Sequence, residues 1–108
     1  MTTSATTRPA IHRPAIHPGE ILAEELAELA ITPTTLARQL AVPPNRITQI
    51  IHGRRNITGD TALRLGHWFG TNPRFWLNLQ TAYDLRRAEQ ERGPEIARLP
   101  KRPAEAHA

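Results

Sequence analysis

Cysteine is absent from the 108-residue chain. Disulfides and thiolate metal sites are thereby excluded, which agrees with a reducing compartment. Aromatic residues are scarce, with two Trp, two Phe and one Tyr, too few to line a base-stacking track for single-stranded nucleic acid. No stretch approaches the roughly 20 apolar residues of a membrane span, and the N-terminus lacks the hydrophobic core of a signal peptide. A cytoplasmic protein without membrane association is the expectation. Catalytic equipment is missing too: no pair of carboxylates, nucleophile beside a base, glycine-rich phosphate loop or metal motif stands out. His12, His17, His52, His67 and His107 have no ligand-spaced partner at i, i+4. No catalytic residue, metal or cofactor is expected.

What is present is charge, and it is sorted. The formal net charge is +4. From Arg38 to Arg74 the charged residues are Arg38, Arg46, Arg54, Arg55, Arg64 and Arg74, against Asp60 alone. Just before them stand Glu20, Glu24, Glu25 and Glu28 with no basic residue among them. A basic middle beside an acidic shoulder gives the molecule two electrostatic faces, and the basic one suits phosphate.

The basic region contains two short helical patterns joined by a corner. Thr32 is placed to cap the first, and Pro33 suits its first position, where a missing N–H goes unnoticed. Leu36, Ala37 and Leu40 form its apolar stripe. Pro43 and Pro44 stop this helix, and Pro44 opens the next. There Ile47, Ile50 and Ile51 recur at i, i+3 and i+4 and share a buried face. Asn45, Arg46, Thr48, Gln49 and His52 lie opposite, and Gly53 ends the helix before Arg54 and Arg55. This is a helix–turn–helix in physical terms: a bracing helix and a reading helix narrow enough for a major groove. The other reading of the pattern is an αα-hairpin in an ordinary bundle. Such corners usually carry glycine where this chain has Ala41, so the backbone is either strained there or differently shaped.

The rest of the chain is arranged around that element. Met1 to Ile16 is rich in Thr, Pro and Ala, with Arg8–His12 repeated as Arg13–His17. Its prolines forbid a regular helix, so residues 1–16 are expected to be a flexible arm. Pro18 to Ala30 is expected to be a helix with Leu22, Leu26 and Leu29 on one side. Ile57 to Gly70 is a second supporting helix with Thr58 as its cap and Asp60 in its first turn. A last helix runs from Pro73 to about Arg92, with Asn72 as its cap. Its start is apolar around much of its circumference, which predicts a homodimer through Phe75, Trp76, Leu79 and Tyr83. Residues 17–92 then form one all-α, five-helix domain, and residues 93–108 a flexible tail.

Three segments carry a resemblance: HPGEILAEELAELAIT from His17, LARQLAVPPNRITQIIHGRRNIT from Leu36, and GDTALRLGHWFGTNPRFWLNLQTAYDLRRA from Gly59. With their PPNRI, GRRNIT and FWLNLQ motifs, they resemble HigA-type antitoxins of the Xre helix–turn–helix superfamily from His17 to about Ala88. The resemblance implies a lambda-repressor-like domain that dimerises, binds the operator of its own operon and neutralises a HigB toxin. Such toxins resemble RelE-type ribonucleases that cut mRNA at the ribosome, and the antitoxin blocks them by binding. Ala41, Gly59, Gly66 and the duplicated arm depart from the family pattern.

The expected partners are therefore palindromic double-stranded operator DNA, a HigB-like toxin and a second copy of the chain. Asn45, Thr48 and Gln49 are expected to read base edges. Pro44, Arg46 and His52 face base or phosphate, while Thr34, Thr35, Arg38, Arg54 and Arg55 contact phosphate. The alternatives are a stand-alone or phage-type repressor without a toxin, and an adaptor that binds only protein through Glu24, Glu25, Glu28 and the last helix.

Overall fold

Each helix begins where a cap or a proline frees the backbone from an unmet donor. In the computed structural model, which describes residues 14–104, the elements are α1 (Pro18–Leu29), α2 (Pro33–Leu40), α3 (Pro44–Ile51), α4 (Gly59–Phe69) and α5 (Arg74–Ala97). Thr32 accepts the Thr35 N–H at 3.1 Å to start α2. Thr58 accepts from Thr61 at 3.4 Å ahead of α4, and Asn72 Oδ1 accepts from Arg74 at 2.9 Å ahead of α5. The cap of α1 is less usual: His17 Nδ1 accepts the Gly19 N–H at 2.9 Å.

One core joins all five helices. Leu22 and Leu26 of α1, Leu36, Ala37 and Leu40 of α2, and Ile47 and Ile50 of α3 are buried together with Ile57, Ala62, Leu65 and Trp76. Ala37 is wholly buried where α2 and α3 meet. Gly19 marks the tightest approach: a Cβ there would lie 1.8 Å from the Ile50 carbonyl oxygen. The backbones of α1 and α3 touch, and no other residue fits.

Three expectations change. Leu29 is 49% exposed and does not continue the Leu22–Leu26 stripe into the core. Trp76 is 1% exposed, packed against Phe69 and Phe75 inside its own protomer, so it is not available to a dimer interface. The last helix continues past Arg92, through Gly93 and Pro94, to Ala97. A proline deletes one donor and bends a helix without necessarily ending it. Here Arg92–Glu95 at 3.4 Å spans Gly93 and Pro94, one turn after Arg87–Glu91 at 2.9 Å. The arm expected over residues 1–16 lies outside the described residues up to residue 13.

The corner between α2 and α3 answers the question raised by Ala41. Its φ is 59° and ψ 46°, the left-handed conformation usual for glycine, and the turn closes by Ala41 N–H to Arg38 O (3.1 Å) and Val42 N–H to Ala37 O (3.0 Å). The corner therefore has the ordinary helix–turn–helix shape and carries the strain of one Cβ. Gly66, in contrast, is required: a Cβ would come within 2.9 Å of Pro73 Cγ and of the Thr71 carbonyl oxygen. Ala41→Gly should raise stability by about 0.5–1 kcal/mol, the relief of left-handed strain less the added freedom of the unfolded chain. Gly66→Ala should lower it by about 1–3 kcal/mol through overpacking. Urea denaturation of both variants checks the pair, and equal destabilisation would refute this description of the corner.

Candidate nucleic-acid interface

The reading helix is exposed on one side because the other is used up. Ile47 and Ile50 are fully buried, and Ile51 is half-buried against the same core. Burying two isoleucines contributes roughly 1.5–3 kcal/mol each, so the helix cannot roll without losing most of that. The opposite face is thereby turned to solvent. Pro44, Asn45 and His52 are exposed and Gln49 is half-buried. Asn45 and Gln49 make no side-chain hydrogen bond among the described residues, leaving amides that match an adenine edge. Thr48 is half-buried, and its hydroxyl donates weakly, at 3.4 Å, back to the Pro44 and Asn45 carbonyls. That bond is long enough to yield to a better acceptor.

The expected phosphate residues split into two groups. Thr34 and Arg38 on α2, and Arg54 and Arg55 after α3, are exposed. Thr35 is half-buried and accepts the Thr32 hydroxyl proton at 2.9 Å, so its oxygen joins the cap of α2 while its own O–H can still donate. Arg46 is drawn sideways: its Nη1 pairs with Asp60 Oδ2 at 2.6 Å. The same oxygen receives Arg64 Nε at 2.9 Å, and Arg64 Nη1 donates to the Leu40 carbonyl at 2.8 Å. Asp60 thus ties α3 to α4, and Arg64 satisfies a carbonyl at the end of α2. The two guanidinium groups hydrogen-bonded to Asp60 hold its carboxyl below the usual carboxylate range.

Beside this cluster Arg46, Arg55, Asn56, Thr58 and Thr61 line an open hollow of about 350 Å³ at the start of α4. Gln80, 6% exposed, fixes the loop on its far side. Its Oε1 accepts the Ile57 N–H at 2.7 Å, and its Nε2 donates to Asn56 Oδ1 at 3.2 Å and Asp84 Oδ1 at 2.9 Å. Sequence reasoning missed Asn56, Asp60, Arg64 and Gln80 as parts of the site's support. One signal was present for Asp60, the single acidic residue in the arginine-rich stretch. The reach of Gln80, 23 residues from Ile57, has no local sequence signature.

At the other end, the four glutamates of α1 form no ion pair among the described residues. Among the described residues no helix is long and apolar enough to cross a membrane. Phe75 is 47% exposed, and Leu79 and Tyr83 are half-buried.

A bracing helix, a left-handed corner and a reading helix with free amides above basic flanks define a helix–turn–helix domain of the DNA-binding regulator class. No family model matches the chain. A HigA-family addiction-module antidote protein from Coxiella burnetii is 52% identical and superposes with a TM-score of 0.81, over 82% of this chain and 98% of that one. The Pseudomonas aeruginosa antitoxin HigA, solved with the higBA promoter, is 42% identical with a TM-score of 0.78, over 82% and 97% of the two chains. Virulence-associated protein I of Dichelobacter nodosus is 54% identical over 80 residues, 73% of this chain and 74% of the relative. The chain belongs to the HigA family of antitoxins, within the helix–turn–helix regulators.

The shift at Asp60 has a consequence for pH. A carboxyl with a depressed folded-state pKa stabilises the fold above its unfolded value of about 3.9, and that stabilisation is lost as pH falls through the lower folded value. The thermal midpoint of the wild-type chain should therefore exceed that of Asp60→Asn at pH 6, with the gap closing below about pH 4. Scanning calorimetry across that range checks it; a gap that persists at pH 2 would mean that the Asp60 charge is not the cause.

Proposed function

We propose that this protein is the antitoxin of a HigBA-type toxin–antitoxin module. It acts as a dimer that binds the operator of its own operon and neutralises a HigB-like toxin by direct binding. It works by recognition and not by catalysis, in the cytoplasm on the nucleoid. The observation that carries the reading is the free polar row of α3, locked outward by Ile47 and Ile50, in a chain 42% identical to an antitoxin solved on promoter DNA.

On DNA, each α3 enters a major groove, and a twofold dimer sets the half-sites about 34–36 Å apart. Asn45, Thr48 and Gln49 read base edges, with Pro44 and His52 at the ends of the same row. Arg46 turns with Asp60 toward the hollow at α4 and takes a phosphate there, beside Arg54 and Arg55. Thr34, Thr35 and Arg38 hold the backbone at the start of α2. The second copy pairs along α5, where Phe75, Leu85 and Ile96 remain 47%, 60% and 54% exposed.

A stand-alone repressor is the second reading, favoured by a helix–turn–helix transcriptional regulator of Escherichia coli that is 34% identical over 82 residues. Co-expression with the neighbouring gene separates the two: a complex that copurifies with a small basic protein supports the antitoxin, and a chain that purifies alone supports the repressor. A protein-only adaptor would give no sequence-specific gel shift on its own promoter DNA.

Base and phosphate roles predict different losses. Gln49→Ala should lower discrimination between the operator and altered operators, by about 1–3 kcal/mol at the base pair concerned. Arg54→Ala should weaken all DNA alike and reduce the slope of log K against log salt by about one per lost contact per subunit. Equal loss on operator and random DNA for both variants would contradict the assignment. Leu85→Glu, which places charge in the α5 surface, should give a monomer in sedimentation equilibrium; an unchanged dimer would move the interface elsewhere.

A further inference from the structure

His17 has no part in the interface described above, yet it joins three elements of the fold. It is 6% exposed. Its Nδ1 accepts the Gly19 N–H that starts α1, so in this form the ring is neutral with its proton on Nε2. That Nε2 is buried without a hydrogen-bond partner among the described residues. The ring packs edge-on against Tyr83 of α5, with centroids 4.8 Å apart. Its Cγ lies 3.9 Å from where a Cβ of Gly53 would stand, at the left-handed corner that ends the reading helix. Two residues after His17, Gly19 backs directly onto the Ile50 carbonyl. One turn of chain therefore touches the last turn of α3 twice.

We infer that His17 is a pH-sensitive positioning residue: while neutral it holds the first turn of α1 against the end of the reading helix, and protonation of Nδ1 releases that hold and lowers operator affinity. The inference rests on the operator-binding role proposed above. A protonated Nδ1 is a donor facing the Gly19 N–H, so the cap cannot survive the charge. The groups facing the ring are Glu20 on α1, Tyr83 and Asp84 on α5, and the Arg55 backbone after α3. Tyr83 Oη is occupied by Arg87 at 2.7 Å, and Asp84 by Gln80 at 2.9 Å. Burial opposes the charge more strongly than Asp84, Glu20 and the Arg55 backbone favour it, and the imidazole is held below its ordinary 6.5. The unfolded chain thus takes up the proton first. The stability tied to the neutral ring is whole above about pH 6.5 and is lost as pH falls from there through the lower folded value.

His17→Asn supplies the test, because an asparagine oxygen caps a helix and does not titrate. The wild-type chain is compared with His17→Asn, and His52 is present in both, so the difference between them isolates His17. Affinity for a duplex taken from upstream of the gene is measured by fluorescence anisotropy at pH 7.5 and 5.5, at fixed ionic strength, with thermal midpoints alongside. The wild-type chain should lose more affinity than His17→Asn on acidification, by up to about fivefold, the size of one lost cap. An equal loss in both overturns the proposal. Absence of specific binding at both pH values defeats the operator role instead. The midpoints then decide for His17: one that does not fall in acid, or falls equally in His17→Asn, overturns the device. Should His17→Asn not fold, an NMR titration of the histidine-bearing chain replaces it. Amides of Gly19 and Ile50–Gly53 that move with the His17 ring protons support the coupling, and amides that stay still overturn it.

Discussion

The burial of Ile47 and Ile50 beneath the backbone contact between Gly19 and the Ile50 carbonyl is the constraint on which the rest depends. Those isoleucines fix the rotation of α3 about its own axis. A helix of eight residues has little stability alone, so its outward face is decided by what its inward face packs against. Leu22 and Leu26 from α1 and Leu36 and Leu40 from α2 complete that inward side. Asn45 and Gln49 are presented to solvent as a consequence of packing and need no contact of their own to hold them there.

Charge does a second task on the same framework. Asp60 gathers Arg46 and Arg64 at one carboxyl oxygen, and Arg64 reaches on to the end of α2. The pairs are exposed and contribute modestly to stability. Their larger effect is on geometry: they aim Arg46 toward the hollow at α4 and away from the Asn45–Gln49 row. Gln80 does the same for the loop holding Arg55, Asn56 and Ile57, from a buried position where its bonds count for more. The reading face is thus set by apolar packing and its flanks by polar tethers.

Much of this was legible in the sequence because it is local. Prolines 18, 33 and 44 and threonines 32 and 58 mark helix starts by chemistry that acts within three or four residues, and the isoleucine spacing alone orients α3. What escaped was nonlocal or marginal. Trp76 looked like an interface residue because its neighbours are apolar, and only the packing of α4 and α5 shows that one protomer absorbs it. Leu29 fits the helical period but falls at the end of α1, beyond the core. The stretch after Arg92 looked like a flexible tail, whereas α5 continues through Pro94 to Ala97. Gly66 looked like a plain departure from the family pattern until the chain from Thr71 to Pro73 folded back over it. His17 looked like the first residue of a domain and is the cap of its first helix.

The central claim is that the face of α3 opposite its isoleucines meets the operator. Backbone amide NMR of the full chain, titrated with a duplex from upstream of its own gene, tests it most directly. The account predicts that the largest shift changes fall at the start of α2, along α3 and through Arg54 to Thr58. Changes confined to α5 and the glutamate side of α1, with α3 unmoved, would contradict it.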